Sequence, residues 1–424
     1  MQTFKTNWES RPIKEVYKGF FDGPHATPEF TEEGPIFLSI QNITEDGHLN
    51  LSATKHLSEA DYSKWTRRVA PEPGDIVFTY EATLHRYAVI PQGFRGCLGR
   101  RVALIRPDRE QVDVKFLLYY FLSEKWRAII NEKIISGATV DRIPLIDFPE
   151  FRISLPPLPI QRKIAAILTA YDDLIENNRR RIALLEQMAE AIYREWFVRL
   201  RFPGHETVPI EQGVPAGWEV KNIEEICKVS RGSSPRPIND SKYFIDGTIP
   251  WIKIADATAS KIFIYETKEY VNDVGASYSR KLPQGSLIIA TSGTLGFCIF
   301  LGIEGCVHDG WMYLSEYKEN IKATYLYYVI NQYRDHLNNL SYGAAIQNIN
   351  TEIVRKLSIL KPPSEVLDNF YSTIDPILDE IFHLGQKNRL IAKTRDLLLP
   401  RLLSGKLAVD ALDIQFPPHP PEAI

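Results

Sequence analysis

Three stretches of the 424-residue chain carry side chains that do chemistry in other contexts. Pro107-Asp108 followed by Asp113-Val114-Lys115 formally matches a nuclease pattern, in which two carboxylates hold Mg²⁺ and a lysine supports the attacking water. Only four residues separate the two elements, too few for the usual hairpin, and the matching place in the second half reads Ser315-Glu316 followed by Lys322. A solvated turn before a helix at Phe116 explains the pattern better. Ser292-Gly293-Thr294 has the hydroxyls of a nucleophile turn, but no GxSxG frames it and no His/Asp partner is implied. It reads either as a turn carrying hydroxyls toward phosphate or as a plain hairpin. Arg231-Gly232-Ser233-Ser234-Pro235-Arg236 is a weak phosphate cradle taken alone, and its basic and hydroxyl content suits a loop facing DNA.

Other chemistries lack their residues. There is no GxxxxGK[ST] loop for ATP, no dinucleotide fingerprint after a strand, and no HExxH zinc pair. The Pro-Pro pairs are followed by Leu158 and Ser364, so the Asn/Asp-Pro-Pro-aromatic tetrad that holds a target amine in amino-methyltransferases is missing. Cys97, Cys227, Cys298 and Cys306 show no CxxC spacing, and a reducing cytoplasm is the default expectation. The opening MQTFKTNWES lacks the order of a signal peptide, so nothing argues for export. Residues 287–303 are apolar enough to suggest a membrane span, but Gly293, Gly296 and Gly302 interrupt them. Two buried strands around a turn are expected instead.

With 44% apolar and 24% charged residues the composition is that of a globular chain long enough for two or three domains. The net charge of -3 gives no sign of nucleic-acid binding. Charge is uneven, however: Tyr62 to Arg109 holds nine Lys/Arg against four Asp/Glu, a stretch able to face phosphates.

The elements that must position these residues come as a tandem repeat. At an offset of 206 to 213 residues, Asn7-Trp8-Glu9 meets Gly217-Trp218-Glu219, and Gly34-Pro35-Ile36-Phe37-Leu38 meets Gly247-Thr248-Ile249-Pro250-Trp251. Pro73 to Val77 meets Gln284 to Ile288, Gly96-Cys97 meets Gly305-Cys306, Leu117 to Tyr120 meets Tyr325 to Tyr328, Ser136 to Ala138 meets Tyr342 to Ala344, and Pro156-Pro157 meets Pro362-Pro363. Each half is a mixed segment of about 150 residues with short strand-like runs, a Pro-Pro break and a long helical tract. Two copies in one chain can mimic a twofold dimer.

Both tracts carry a 4/3 apolar series. The first runs Ile160, Ile164, Ile167, Tyr171, Leu174, Asn178, Arg181, Leu185, Met188, Ile192, Glu195, and the second Leu367, Phe370, Ile374, Ile377, Ile381, Leu384, Asn388, Ile391, Arg395, Leu398, Leu402. Either these are core helices of their own domains, or they pair antiparallel between the halves. The second reading is favoured because the tracts are too long for domains of this size. Asn178 and Asn388 then become seam polars that set register. Pro376, with Asp375 before it as a cap, predicts a short helix, a kink and then the long helix.

The run Leu158-Pro159-Ile160-Gln161-Arg162-Lys163-Ile164-Ala165-Ala166-Ile167-Leu168 with Asp172 to Asn178 resembles the central spacer of type I restriction-modification specificity subunits. So do Glu195-Trp196-Phe197-Val198 and Arg201-Phe202-Pro203-Gly204-His205-Glu206, while Leu399-Pro400-Arg401-Leu402-Leu403-Ser404-Gly405-Lys406-Leu407 is similar to the end of the second spacer. In the second half Gly247 to Asp256, the Ser292 to Gly296 turn and Gly343 to Ile349 are family-like. The first half departs from them, with Tyr80 to His85 in place of the glycine turn and Thr139 to Arg142 in place of the Gln-Asn element.

The resemblance implies an α+β chain: a first target-recognition domain (1–157), a central spacer helix (158–200), a second recognition domain (201–363), a second spacer helix (364–410) and a tail (411–424). The helices would pair as an antiparallel coiled coil with pseudo-twofold symmetry, through Ile164, Ile167, Leu174, Leu185, Ile377, Ile381, Leu384 and Leu398. Its implied partners are double-stranded DNA, two methyltransferase (M) subunits that use S-adenosylmethionine, and motor-nuclease (R) subunits that use ATP. The chain itself would be non-catalytic and hold no cofactor or metal. Arg67, Arg68, Arg86, Arg100 and Arg101 in the first domain, and Arg231, Arg236, Lys253, Ser292, Thr294, Gln347 and Asn348 in the second, are the residues expected toward DNA. Two other readings stand beside this one: a coiled-coil scaffold that binds proteins and no DNA, and a single-chain nuclease on Asp108 and Asp113.

Overall fold

A computed structural model of the chain describes residues 8–136, 140–257, 261–291, 296–334 and 350–414. It divides into two compact units, one formed by Met1–Ile175 with Leu390–Ile424, the other by Glu176–Arg389. Each long helix therefore contributes to both units, and the first unit takes in the C-terminal part of the second helix, up to Leu403, and the stretch to Val409 that follows it.

In the first unit an antiparallel sheet orders Tyr17–Asp22, Val102–Pro107, Ile76–Thr79 and Tyr87–Val89. A second sheet orders Lys55–His56, Thr31–Leu38 and Gly96–Leu98, the last two parallel. The helix Val114–Leu122 closes the core; Asp113, half of the nuclease-like pattern, is its N-cap, accepting from the Phe116 N–H at 2.9 Å. Stacked and tilted rings of Phe78, Tyr87, Phe121, Trp126 and Phe148 fill the interior.

The second unit repeats this plan. One sheet orders Lys228–Arg231, Trp311–Ser315, Leu287–Ala290, Cys298–Leu301 and Phe263–Ile264, and the other Glu269–Val271, Ile249–Ile252, Gly305–Val307 and Arg280–Leu282. The apolar run that opens at Leu287 is thus two fully buried antiparallel strands. Among the described residues no helix is long and apolar enough to cross a membrane. The equivalence extends to strand register, with one correction. Phe37 pairs with Cys97 and Trp251 pairs with Cys306, so Phe37, not Leu38, is the counterpart of Trp251. Ile36, Phe37 and Leu38 are all apolar, and without alternation the letters give no phase for the strand. Glu9 pairs with Leu155 and Glu219 with Lys361, each pair ending just before Pro-Pro.

The first long helix runs Leu158–Tyr193 and ends in a π-helical turn, Arg194–Val198; the second runs Ser364–Leu403. Their 36 and 40 residues correspond to about 54 and 60 Å at 1.5 Å per residue. Within the second unit Asn178 Nδ2 donates to Asn388 Oδ1 at 2.8 Å, and Arg181 pairs with Glu380 at 2.7 Å, so the two segments run antiparallel. Within the first unit Asp172 accepts from Arg395 Nη1 and from Tyr119 Oη, both at 2.5 Å. Burial and the Asp172 carboxylate push the Tyr119 phenol well above its ordinary range.

The family-like motifs have local explanations. Gln161 is buried, accepting from the Asp113 N–H and donating to the Pro156 carbonyl. Lys163 Nζ donates to the carbonyls of Asp410 and Leu412. Gly405, at φ 69°, ends the second helix with its N–H on the Leu402 carbonyl. Gly385 lies mid-helix, where glycine ordinarily weakens a helix by about 1 kcal/mol. A Cβ there would meet Tyr265 Oη at 2.1 Å, so the missing side chain admits the ring.

Two expectations about the helices need correction. Ser364–Leu403 is one helix with no break at Pro376. Phe370, Ile374, Leu378 and Ile381 are buried on both sides of the proline, and their packing holds the helix through the lost hydrogen bond. Asp375 accepts from Thr324 Oγ1 and pairs with Lys322 instead of capping a restarted helix. The 4/3 series also drifts off the buried face of the first helix. Ile164 is buried and Ile167 and Leu185 are partly so, but Leu174 is 39% and Met188 53% exposed, while Ile175 and Ala189 are buried. A straight helix rotates about 20° per heptad against a 3.5-residue repeat, and one residue of slip accumulates. In the second helix Ile381 and Leu384 are buried, and Ile377 and Leu398 pack at the core edge.

Two substitution sets test this account. Asp172→Ala should lower stability by about 2 kcal/mol, short of the cost at a fully buried pair because both partners keep some exposure. Glu176→Ala, which removes only the exposed pair with Arg180, should leave the urea-unfolding midpoint nearly unchanged. Asn178→Leu should cost about 1–2 kcal/mol, and Asn178→Leu/Asn388→Leu should recover most of that, since the penalty lies in parting a buried amide from its partner.

Candidate nucleic-acid interface

At one end of each module the strand leading into a glycine meets a hairpin tip. In the second unit the strand Lys228–Arg231 leads into Gly232, whose N–H bonds to the Trp311 carbonyl at 2.8 Å. A Cβ at Gly232 would meet the His308 carbonyl at 2.3 Å, so only glycine lets the loop lie this close to the hairpin. Further bonds fix it there. Ser233 N–H donates to the Val307 carbonyl, Asp309 N–H to Ser234 Oγ, Ser233 Oγ to the Tyr278 carbonyl, and Tyr243 Oη to the Arg236 carbonyl.

This folding brings together three of the expected basic residues. Arg231 Nε donates to the Asp309 backbone carbonyl at 2.8 Å, and Arg236 pairs with the Asp309 carboxylate. Lys253 pairs with Glu269 and lies over the Trp251 ring, 4.8 Å from its centroid. His308 sits between them, edge-on to the buried Trp251 with ring centroids 5.5 Å apart. Gly310 N–H donates to His308 Nδ1, which leaves the neutral ring's proton on Nε2, 3.2 Å from Asp309 Oδ1. Burial lowers the His308 pKa; the nearby Asp309 opposes that shift, and the Lys253 and Arg236 charges add to it. Ser292, Thr294, Gln347 and Asn348 lie outside the described residues.

In the first unit the equivalent strand ends at Asp22, with Gly23 N–H on the Val102 carbonyl and a Cβ that would meet the Gly99 carbonyl at 2.2 Å. Arg68 pairs with Asp22 at 2.7 Å and Arg101 with Glu81 at 3.0 Å. Arg101 has φ 70° in the hairpin tip. The Tyr80 phenol is pushed up to about 12 by burial, then by Asp22 and Glu81, against Arg100 and Arg101. Arg68, Arg100 and Arg101 therefore belong to one cluster. Arg67 and Arg100 are exposed and form no ion pair among the described residues. Arg86 is turned to the Ile43 carbonyl and pairs with Glu45, and no hydrogen bond or ion pair among the described residues joins it to the cluster.

The basic stretch from Tyr62 to Arg109 is less positive than its letters. Arg95 pairs with Glu59, and Arg106 with Glu72 and Asp75, acids that partly lie outside the stretch or fold onto it. Asp309, His308 and Trp251 are the site residues that sequence reasoning missed. Asp309-Gly310 is a legible turn signal, but its partner Arg236 is 73 residues away. Among the described residues no group of three or more His, Cys, Asp or Glu is placed to hold a metal ion.

Position for position, the two ends carry opposite charges. Phe21 and Ser230 occupy equivalent register, and so do Asp22 and Arg231; Gly99 and Arg100 correspond to His308 and Asp309. The strand end is acidic and the hairpin tip basic in the first module, and the reverse holds in the second.

Comparison with known proteins places this arrangement. The chain is 26% identical over 421 residues to the type I restriction enzyme MjaIX specificity subunit of Methanocaldococcus jannaschii, covering 95% of this chain and 90% of that protein. It is 25% identical over 372 residues to the type I restriction enzyme HindI specificity subunit of Haemophilus influenzae, covering 72% and 80%. The crystal structure of a type I restriction-modification S subunit from M. genitalium shares the fold with a TM-score of 0.62 at 15% identity, covering 95% of this chain and 98% of that one. The family described as type I restriction modification DNA specificity domain matches residues 6–187 and again 215–391, one match for each copy of the module. With both halves matched and the modules repeating one another pair for pair, the chain belongs to the type I restriction modification DNA specificity family.

Proposed function

We propose that this chain reads a two-part DNA sequence for a type I restriction-modification assembly, one half-site per module, and itself performs no chemistry. The observation that carries this reading is the duplicated strand-end and hairpin arrangement, which collects Arg68, Arg100 and Arg101 in one unit and Arg231, Arg236 and Lys253 in the other. Guanidinium and ammonium groups on a tightly pinned surface suit phosphate positioning and groove contacts together. On this reading the lengths of the two long helical tracts set the gap between half-sites, as for any two-headed reader of duplex DNA.

On this reading the chain assembles in the cytoplasm with two methyltransferase subunits, which supply S-adenosylmethionine chemistry, and with motor-nuclease subunits, which use ATP. It gives Asp108 and Asp113 structural parts, supported by the Asp108 pair with Lys18 and the Asp113 helix cap.

Adenine methylation mapped across the genome of a methylation-free host tests this. Co-expression with the neighbouring methyltransferase subunit should yield a bipartite motif with a constant gap, absent when either protein is expressed alone. Methylation at unrelated sites, or none from an assembled complex, would sink the reading. Binding of the complex to its motif should also weaken steeply with salt, the logarithmic slope being about -0.9 per phosphate contacted; a flat dependence would favour a scaffold without DNA.

A further inference from the structure

We infer that Arg231 and Arg236 are two separate guanine readers in the half-site of the second module, and that Asp309 is the positioning residue that aims Arg236. This rests on the DNA-reading function proposed above and goes beyond it in naming bases and the residues that choose them.

An exposed ion pair by itself stabilises a fold little. Here the two arginines leave one rigid loop from opposite ends, and both are held by the same residue through different groups. The Asp309 backbone carbonyl takes Arg231 Nε, and the carboxylate takes Arg236 on Oδ2 while its Oδ1 faces His308 Nε2. His308 in turn is held by the Gly310 N–H and the Trp251 ring, so the orientation is transmitted from a side chain only 1% exposed out to the surface. A long side chain held in this way loses less conformational freedom when it binds.

A guanidinium has five N–H donors and no acceptor. Among the described residues one donor of Arg231 and one nitrogen of Arg236 are engaged, which leaves a donor edge on each. In the major groove guanine presents two adjacent acceptors, N7 and O6, whereas adenine pairs its N7 with an amino donor that an arginine cannot satisfy. Arginines aimed in advance therefore select guanine. The first module, with Asp22 at the position of Arg231 and Arg100 at that of Asp309, lacks this fork, so its half-site should be indifferent to the same substitutions.

The test uses the complex with its methyltransferase subunit and the same methylation map. Arg231→Lys and Arg236→Lys keep the charge but lose the two-pronged geometry. Each should relax preference for guanine about tenfold or more at one position of one half-site, the two positions being different. Asp309→Ala should relax the position that Arg236→Lys relaxes and leave that of Arg231→Lys intact, because the backbone carbonyl remains; Asp309→Asn should fall between. The other half-site and the gap should not change.

If the wild-type complex yields a bipartite motif but all four variants keep it unaltered, the inference fails while the proposed function stands. A uniform loss of methylation without a change of motif would overturn it equally, marking phosphate contacts or a folding role. No motif from the wild type would remove the function itself. The arginine variants lie at exposed positions and keep the test decisive should Asp309→Ala fold poorly.

Discussion

Asp172 joins Tyr119 in the globular part of the first unit to Arg395 near the end of the second long helix, 223 residues further along the chain. Much depends on that constraint. The first core is unfinished until the C-terminal stretch returns to it: Leu402, Leu403 and Val409 are buried there, and Lys163 ties down the carbonyls of Asp410 and Leu412. A carboxylate between a phenol and a guanidinium is costly to desolvate and costly to leave half-paired, so it discriminates strongly among helix registers. Asn178 and Asn388 act in the same sense within the second unit, where an amide facing an aliphatic side chain would lose its partner.

With the helices in register, each module needs little more than its own sheets to form its exposed end. Two glycines, Gly23 and Gly232, do the same job in the two copies, bringing a strand end against the hairpin carbonyl that follows Leu98 or Val307. Duplication preserved this backbone device while the charges mounted on it were exchanged. Backbone hydrogen bonds and the close glycine approach specify the shape, and neither depends on which charged residue follows, so a common frame can carry different surfaces. Pairing within each copy is what keeps those charges ordered. Arg68 rests on Asp22, and Arg236 on Asp309.

The chain's charge illustrates how composition misleads. A net charge of -3 sits beside local clusters of arginine, and the richest basic stretch turns out to be largely answered by carboxylates, some from outside it. Ion pairing across a fold is invisible to a running count along the sequence, because the partners are set by strand neighbours and not by chain distance. What remains for a polyanion is therefore a matter of geometry: Arg67 and Arg100 stand free of ion pairs among the described residues, while Arg231 and Arg236 are held but keep unused donors.

The sequence alone determined the duplication, the two long helices, the polar pair in their seam and the family-like motifs that close each spacer. These are carried by residue type at short spacing: apolar periodicity, Pro-Pro breaks, a glycine past a helix end. It left open whatever requires phase or distant partners. Phe37 rather than Leu38 matches Trp251 because three consecutive apolar residues carry no alternation, and Ile175 and Ala189 replace Leu174 and Met188 on the buried face because a 3.6-residue helix drifts under a heptad reading. Pro376 stays inside its helix because flanking side chains are buried on both sides of it. Only the tertiary structure decided that Asp309 gathers Arg231 and Arg236 and that Asp22 takes Arg68, since these contacts arise where separate strands and hairpins end side by side, tens of residues apart along the chain.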